Sequence, residues 1–331
     1  MNRSTAITLN SIDLAKFFMA IMVVAIHTIR PENVLFSNIF SNVTGLAVPF
    51  FFISSAFLLH LKVSNEEQSI KEATIIKFIK RMIRLYLMWS ILYLPFSFYG
   101  IIVKKTSLVT SIFLYFWNLF FNGEHYYSWP LWYLLGTIYA AVLLYFILRK
   151  NLSIKFVLIV SLILFVIGQT IILVSQSDFL IEGTLIYKGF RLIGGTGRLL
   201  AGMSYFLFGY FVAENGKKIR GVYSLLLLLL LLLIGIVCYQ RMVWYYLNLP
   251  LSYFLFEFVL SINLSQRFLF LRKSSTVMYF THMIFFFAYS YLCGVEFQYG
   301  FVGFIVSVLC TIILSIIVYH RKGKVTKLLF G

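Results

Sequence analysis

The residues with the strongest claim to chemistry stand in the run from Asn10 to Arg30, NSIDLAKFFMAIMVVAIHTIR, where Asp13, Lys16 and His27 interrupt an apolar, helix-length stretch. On a helix, Asp13, Lys16, Ala20, Val24 and His27 fall within about 60° of one another and form one polar stripe. Ionisable groups inside a membrane span are costly, so such a stripe faces protein and marks a functional site unless its members merely pair. Imidazole, with an ordinary pKa near neutrality, suits a general base or an acyl-accepting nucleophile. Asp13 and Lys16, three residues apart, have a second reading as an ion pair at the water interface. His27 is the catalytic expectation.

Four other groups of residues carry possible chemistry. The run RLIGGTGRLLAGMSYFLFGYF places Arg191, Gly194, Arg198, Gly202, Tyr205 and Gly209 on one helix face. An arginine below the membrane surface must pair or face water, which makes Arg198 the second site residue and leaves Arg191 as an interfacial cation. Glu257, in the middle of SYFLFEFVLS, is either protonated or paired with a cation such as Arg198. In SSTVMYFTHMIFFF, Ser275, Tyr279 and His282 share a face, and His282 reads equally as a structural histidine or a site residue. The run KFIKRMIRLY sets Lys80, Arg81 and Arg84 just before a span, either as anchors near anionic lipid or as bidentate holders of a phosphorylated cytosolic donor.

These groups require an all-α, polytopic membrane protein to position them. The chain has 331 residues, 61% hydrophobic and 12% charged, far more apolar than soluble domains. At about 20 residues per span, ten helices are expected in one bundle, near 11–30, 44–61, 85–103, 131–148, 156–175, 191–213, 222–240, 246–264, 275–292 and 299–319, as a single domain over 1–331. With both termini cytoplasmic, 20 of the 28 basic residues fall inside, seven outside, and Lys16 within the first span. The net charge of +17 thus fits the positive-inside rule; no polar stretch is long enough to form a nucleic-acid-binding domain. Cys238, Cys293 and Cys310 are read as packing residues. Nine consecutive leucines, Leu225 to Leu233, give one helix no polar face and an expected place against lipid. Between Lys104 and Pro130 an aromatic-rich outer segment reads as an interfacial belt or, with Glu124 and His125, as a platform for a sugar or lipid-linked acceptor. No histidine, cysteine or carboxylate set has metal-ligand spacing, and no phosphate-binding glycine loop is present.

Taken together, IDLAKFFMAIMVVAIH (Ile12 to His27), VPFFFISSAFLL (Val48 to Leu59), KRMIRLYLMW (Lys80 to Trp89), LWYLLGTIYA (Leu131 to Ala140), the Arg198-containing run and STVMYFTH (Ser275 to His282) resemble the acyltransferase-3 family of membrane acyltransferases. The resemblance implies ten helices in the inner (cytoplasmic) membrane and O-acylation of a surface polysaccharide, peptidoglycan or related glycan. It implies His27 as the catalytic histidine and Arg81 with Arg84 as the basic pair meeting acyl coenzyme A. It also lends weight to Arg198 and His282. The chain departs from the family in Lys16 and Pro130, where arginine and histidine are usual.

The expected reaction moves an acyl group, acetyl in the simplest case, from cytoplasmic acyl-CoA to a hydroxyl of a glycan or lipid-linked sugar, with no metal. Lys16, Arg81 and Arg84 serve the donor, His27 and Arg198 the chemistry, and Asp13, Glu257, Tyr279 and His282 complete the set of site residues. Expected partners are membrane lipid and glycan-biosynthesis proteins, with no nucleic acid. The rival reading is a transporter or export component for a polysaccharide or lipid-linked sugar, and a third is a sensory or anchoring domain.

Overall fold

The computed structural model describes residues 3–104, 107–125, 127–176, 184–216, 219, 221–238, 240–321 and 323–330. Lys105, Lys217, Lys218, Arg220 and Lys322, which entered the charge asymmetry, lie outside these residues, as do the side chains of Arg3, Lys104, Arg191 and Arg241. The described residues form helices and no strand. In chain order the α-helices are α1 (Arg3–Thr28), α2 (Val34–Gly45), α3 (Ala47–Val63), α4 (Gln68–Leu92), α5 (Leu94–Lys104), α6 (Leu108–Trp117), α7 (Trp132–Arg149), α8 (Ile154–Ser175), α9 (Leu185–Asn215), α10 (Gly221–Cys238), α11 (Arg241–Ser261), α12 (Leu269–Leu292), α13 (Phe301–His320) and α14 (Lys324–Phe330). A π-helical turn, Asn118–Asn122, and a 3-10 turn, Trp129–Leu131, lie between α6 and α7.

Where the sequence supplies a short polar side chain before an apolar run, that side chain caps the helix. Asn33, Ser107, Ser153 and Thr184 accept from the backbone N–H of Phe36, Thr110, Phe156 and Tyr187, starting α2, α6, α8 and α9. Among the described residues, seven stretches are long and apolar enough to cross a membrane: Asn10–Thr28, Val34–Val63, Trp129–Arg149, Ile154–Ser175, Gly221–Cys238, Met242–Ser261 and Phe301–His320. An eighth arises if α4 and α5, bent by 48°, are one broken span. Pro95 explains the bend: it has no N–H to bond the Ile91 carbonyl four residues back, and its ring crowds that carbonyl. Helices α9 and α12 are 31 and 24 residues long but do not reach that apolar threshold, because they carry the polar faces seen in the sequence.

The chain divides into two compact units, 1–51 with 218–331, and 52–217. In the first, α12 packs between α1 and α13, and α10 packs on α11. Asp13 meets Arg272 and His27 meets His282, so α1 and α12 run in the same direction. The Gly300 N–H donates to the Thr28 carbonyl at 2.8 Å, tying the start of α13 to the end of α1. A smaller core joins Leu46, Leu228, Trp244 and Leu251. Leu228 is the buried member of the nine leucines of α10, so the helix is as lipid-facing as its composition suggests. Cys238 and Cys293 are exposed at helix ends rather than packed, which corrects the reading of the cysteines as core fillers.

In the second unit α8 and α9 cross at Gly168 and Gly197, where a Cβ on either would lie 2.8–2.9 Å from the other's carbonyl oxygen. Small residues of this kind let membrane helices approach backbone to backbone. The fully buried Phe52 ring fills the space left by Gly136 on α7 and Gly202 on α9, and Gly209 faces the Ile53 backbone. The glycine face of α9 thereby receives α3.

Candidate active site

The polar stripe of α1 faces protein as its cost in lipid requires. Asp13, Ala20 and Val24 are buried, while Lys16 and His27 are half-buried. Asp13 pairs with Arg272 of α12 at 3.9 Å, and Lys16 is the lesser of its two cationic neighbours. Asp13 thus has an interhelical partner in addition to its i,i+3 neighbour. Arg272 had entered the sequence reading only as one of many cytoplasmic charges; no spacing rule links it to a residue 259 positions away.

At the other end of α1 the His27 ring stacks on His282 of α12, with centroids 5.4 Å apart and planes 24° from parallel. His282 has no solvent exposure, and its Nδ1 donates to the Met278 carbonyl at 2.8 Å. That bond fixes the tautomer and leaves Nε2 with its lone pair and no hydrogen-bond partner among the described residues. With Nδ1 given to Met278 and Nε2 without a partner among the described residues, His282 meets His27 through ring contact and not through a hydrogen bond. Ser275 and Tyr279 are buried on the same helix, and Tyr279 contacts Phe51 at 6.4 Å between ring centroids. Arg30, just beyond α1, lies 3.8 Å from the centroid of the Tyr299 ring. Glu257 is buried in α11 and accepts from the Ile219 N–H at 3.4 Å.

In the second unit Arg198 forms an ion pair with Glu124. This corrects the pairing offered between Arg198 and Glu257: the carboxylate comes from the segment preceding α7, which sequence periodicity could not bring to α9. The Arg198 guanidinium also lies 5.9 Å from the centroid of the Trp132 ring. On α4, Lys80 and Arg81 are exposed and so is Arg84. Arg81 is close enough for its charge to act on the Tyr133 phenol, whose oxygen lies 2.8 Å from that of Ser55. His60, at the end of α3, bonds Glu214 through Nε2 at 2.5 Å and stands edge-on to Tyr210.

The turn between α6 and α7 lies in the segment read from sequence as an interfacial belt or an acceptor platform. Its backbone carbonyls are held by side chains from three helices: Tyr86 donates to Leu119 at 2.6 Å, Tyr139 to Phe120 at 2.5 Å and Thr196 to Phe121 at 3.2 Å. Gly123 follows in the left-handed region at φ 74°, where an added Cβ would lie 2.6 Å from the Trp132 Cα. Tyr127 is also left-handed, at φ 61°, an uncommon conformation for a non-glycine residue. His125, between them, is 2% exposed and packs on Tyr115 at 4.6 Å. Burial pushes its imidazole down to about 4, and the adjoining Glu124 backbone opposes this only partly.

A family model described as an acyltransferase domain matches residues 9–320. The chain belongs to the acyltransferase-3 family. This member is accordingly a multi-pass membrane protein built on an acyltransferase domain, and the helices α1, α4, α9 and α12 that bear its ionisable residues lie almost wholly within the match. Two curated relatives, both amino-acid racemases of Enterococcus faecalis, are 31% identical over 165 and 167 residues, each 48% of this chain. The chain spans about a fifth of the length of these relatives, 21% and 22%. No solved structure matches. Among the described residues no group of three or more histidine, cysteine or acidic side chains could hold a metal ion.

Proposed function

We propose that this family member moves an acyl group, acetyl in the simplest case, from cytoplasmic acyl coenzyme A to a hydroxyl of a cell-surface or lipid-linked glycan. The observation that carries the reading is the half-buried His27, braced by a fully buried histidine of fixed tautomer, inside an acyltransferase domain. In the reaction the acceptor oxygen forms a bond to the thioester carbonyl carbon while His27 takes the hydroxyl proton. The carbon–sulfur bond then breaks, and the leaving thiolate recovers the proton from the imidazolium. Arg81 and Arg84 hold the donor's phosphates, with Lys16 a further cation on the donor's path. Arg198, already bonded to Glu124, orients the acceptor. Helix α1 runs about 21 Å from Asp13 to His27 at 1.5 Å per residue, so an extended thioester arm suits this role.

The racemase activity named for the Enterococcus faecalis proteins is not part of this reading, since the shared stretch is 21% of one and 22% of the other. Purified protein given labelled acetyl coenzyme A is the test. His27-dependent thioester turnover supports acyl transfer, whereas sugar flux without turnover supports the export alternative.

A further inference from the structure

Hydrogen-bond accounting around the rigid turn before α7 leaves four polar atoms over. Asn122 donates through Nδ2 to Asn118 Oδ1 at 2.6 Å, but its own Oδ1 has no partner among the described residues. Glu124 accepts from Arg198 through Oε1, while Oε2 has none. His125 uses its backbone N–H and C=O on the Ser128 hydroxyl, at 2.8 and 3.0 Å, yet neither ring nitrogen makes a hydrogen bond of normal geometry among the described residues. All four atoms are buried, and they fall within four consecutive positions. Orphaned groups of this kind are destabilising when nothing answers them. The protein nevertheless holds them in place with a π-helical turn and a left-handed glycine, and π-helical turns recur at functional sites.

We propose that Asn122, Glu124 and His125 form a subsite for a neutral, polyhydroxylated ring, a sugar of the acceptor class. Asn122 Oδ1, Glu124 Oε2 and one His125 nitrogen are acceptors, and the other His125 nitrogen is a donor in the neutral ring. Sugar hydroxyls supply donors to the first three and a lone pair to the fourth. An anion would face three acceptors, and a metal ion would share its carboxylate with the Arg198 guanidinium. Calling this the acceptor subsite rests on the acyl-transfer reading; the ligand chemistry does not.

The test uses the full chain, purified in a detergent without a sugar headgroup, with tryptophan emission followed as ligands are added. The neutral probes are methyl glycosides of hexoses and of N-acetylhexosamines, with glucuronate and zinc ions as charged controls. At least one neutral glycoside is expected to give a saturable change. His125→Phe, which keeps the ring's volume and its packing on Tyr115, and Glu124→Gln should each weaken it by about ten-fold or more. No saturable response to a neutral glycoside, a response unchanged in both turn variants, or a response to zinc alone would overturn the subsite. Acetyl coenzyme A turnover measured on the same preparations separates the two ideas. Binding without turnover keeps the subsite and sinks acyl transfer, and turnover without binding does the reverse.

Discussion

His27 and His282 differ in what their surroundings permit, although both are histidines on polar helix faces. His282 is sealed in and tied to Met278, whereas His27 is half-buried on the first helix. His282→Phe should therefore keep the packing and lower acyl transfer far less than His27→Ala, for which a loss of about 10²- to 10⁴-fold is expected. Equal losses in the two variants would place His282 in the chemistry. His125 makes a prediction about acid stability. Its pKa lies at about 4 in the folded protein against 6.5 for the free side chain, so the folded state binds the proton less readily than the unfolded one. Its contribution is complete above pH 6.5 and is lost as pH falls toward 4, by at most about 3 kcal/mol. Melting followed between pH 7 and 4 should fall less steeply in His125→Gln than in the parent protein; identical slopes would contradict this. The sequence made His27 legible because a membrane span seldom carries a lone imidazole on a polar stripe unless the group has work to do. His125 was legible only as one of two readings, belt or acceptor platform, because glutamate and histidine among interfacial aromatics look alike whether they face water or are enclosed.

At the scale of elements, the turn Asn118–Asn122 is held from outside itself. Tyr86→Phe and Tyr139→Phe each remove one hydroxyl from a carbonyl of this turn and should each destabilise the protein by about 1–2 kcal/mol. The check is thermal melting in detergent, with the double variant worse than either single one. Unchanged melting would mean that the carbonyls find other donors. Gly123→Ala should be more damaging, since it adds a Cβ both against the Trp132 backbone and at φ 74°. The glycine face of α9 was readable from the 3.6-residue period, but that α3 fills it through Phe52 was not. The Arg198–Glu124 pair was not readable: Glu124 is 74 positions away in an irregular turn, and Glu257 was an equally good carboxylate on paper. The break between α4 and α5 follows from Pro95, which local backbone chemistry marks without any knowledge of packing.

For the whole molecule, membrane residence and helix content followed from composition alone, because a chain with 61% hydrophobic residues and so few charges has no soluble alternative. Orientation is an expectation from the distribution of 28 basic residues. Reporter fusions at each end should report the cytoplasm, and a tag inserted near Ser107 should report the outer side; any other pattern removes the direction assigned to acyl transfer. Composition could not show that α9 and α12 fall short of the seven apolar stretches, since it does not say where Arg198, His282 and the serines and glycines around them fall. The central claim is that His27 performs acyl transfer. It is tested most directly by incubating purified parent protein and His27→Ala with labelled acetyl coenzyme A and a glycan acceptor, and measuring acylated product. Product is expected from the parent and essentially none from the variant, with equal amounts of folded protein in both samples. Equal product from both would contradict it.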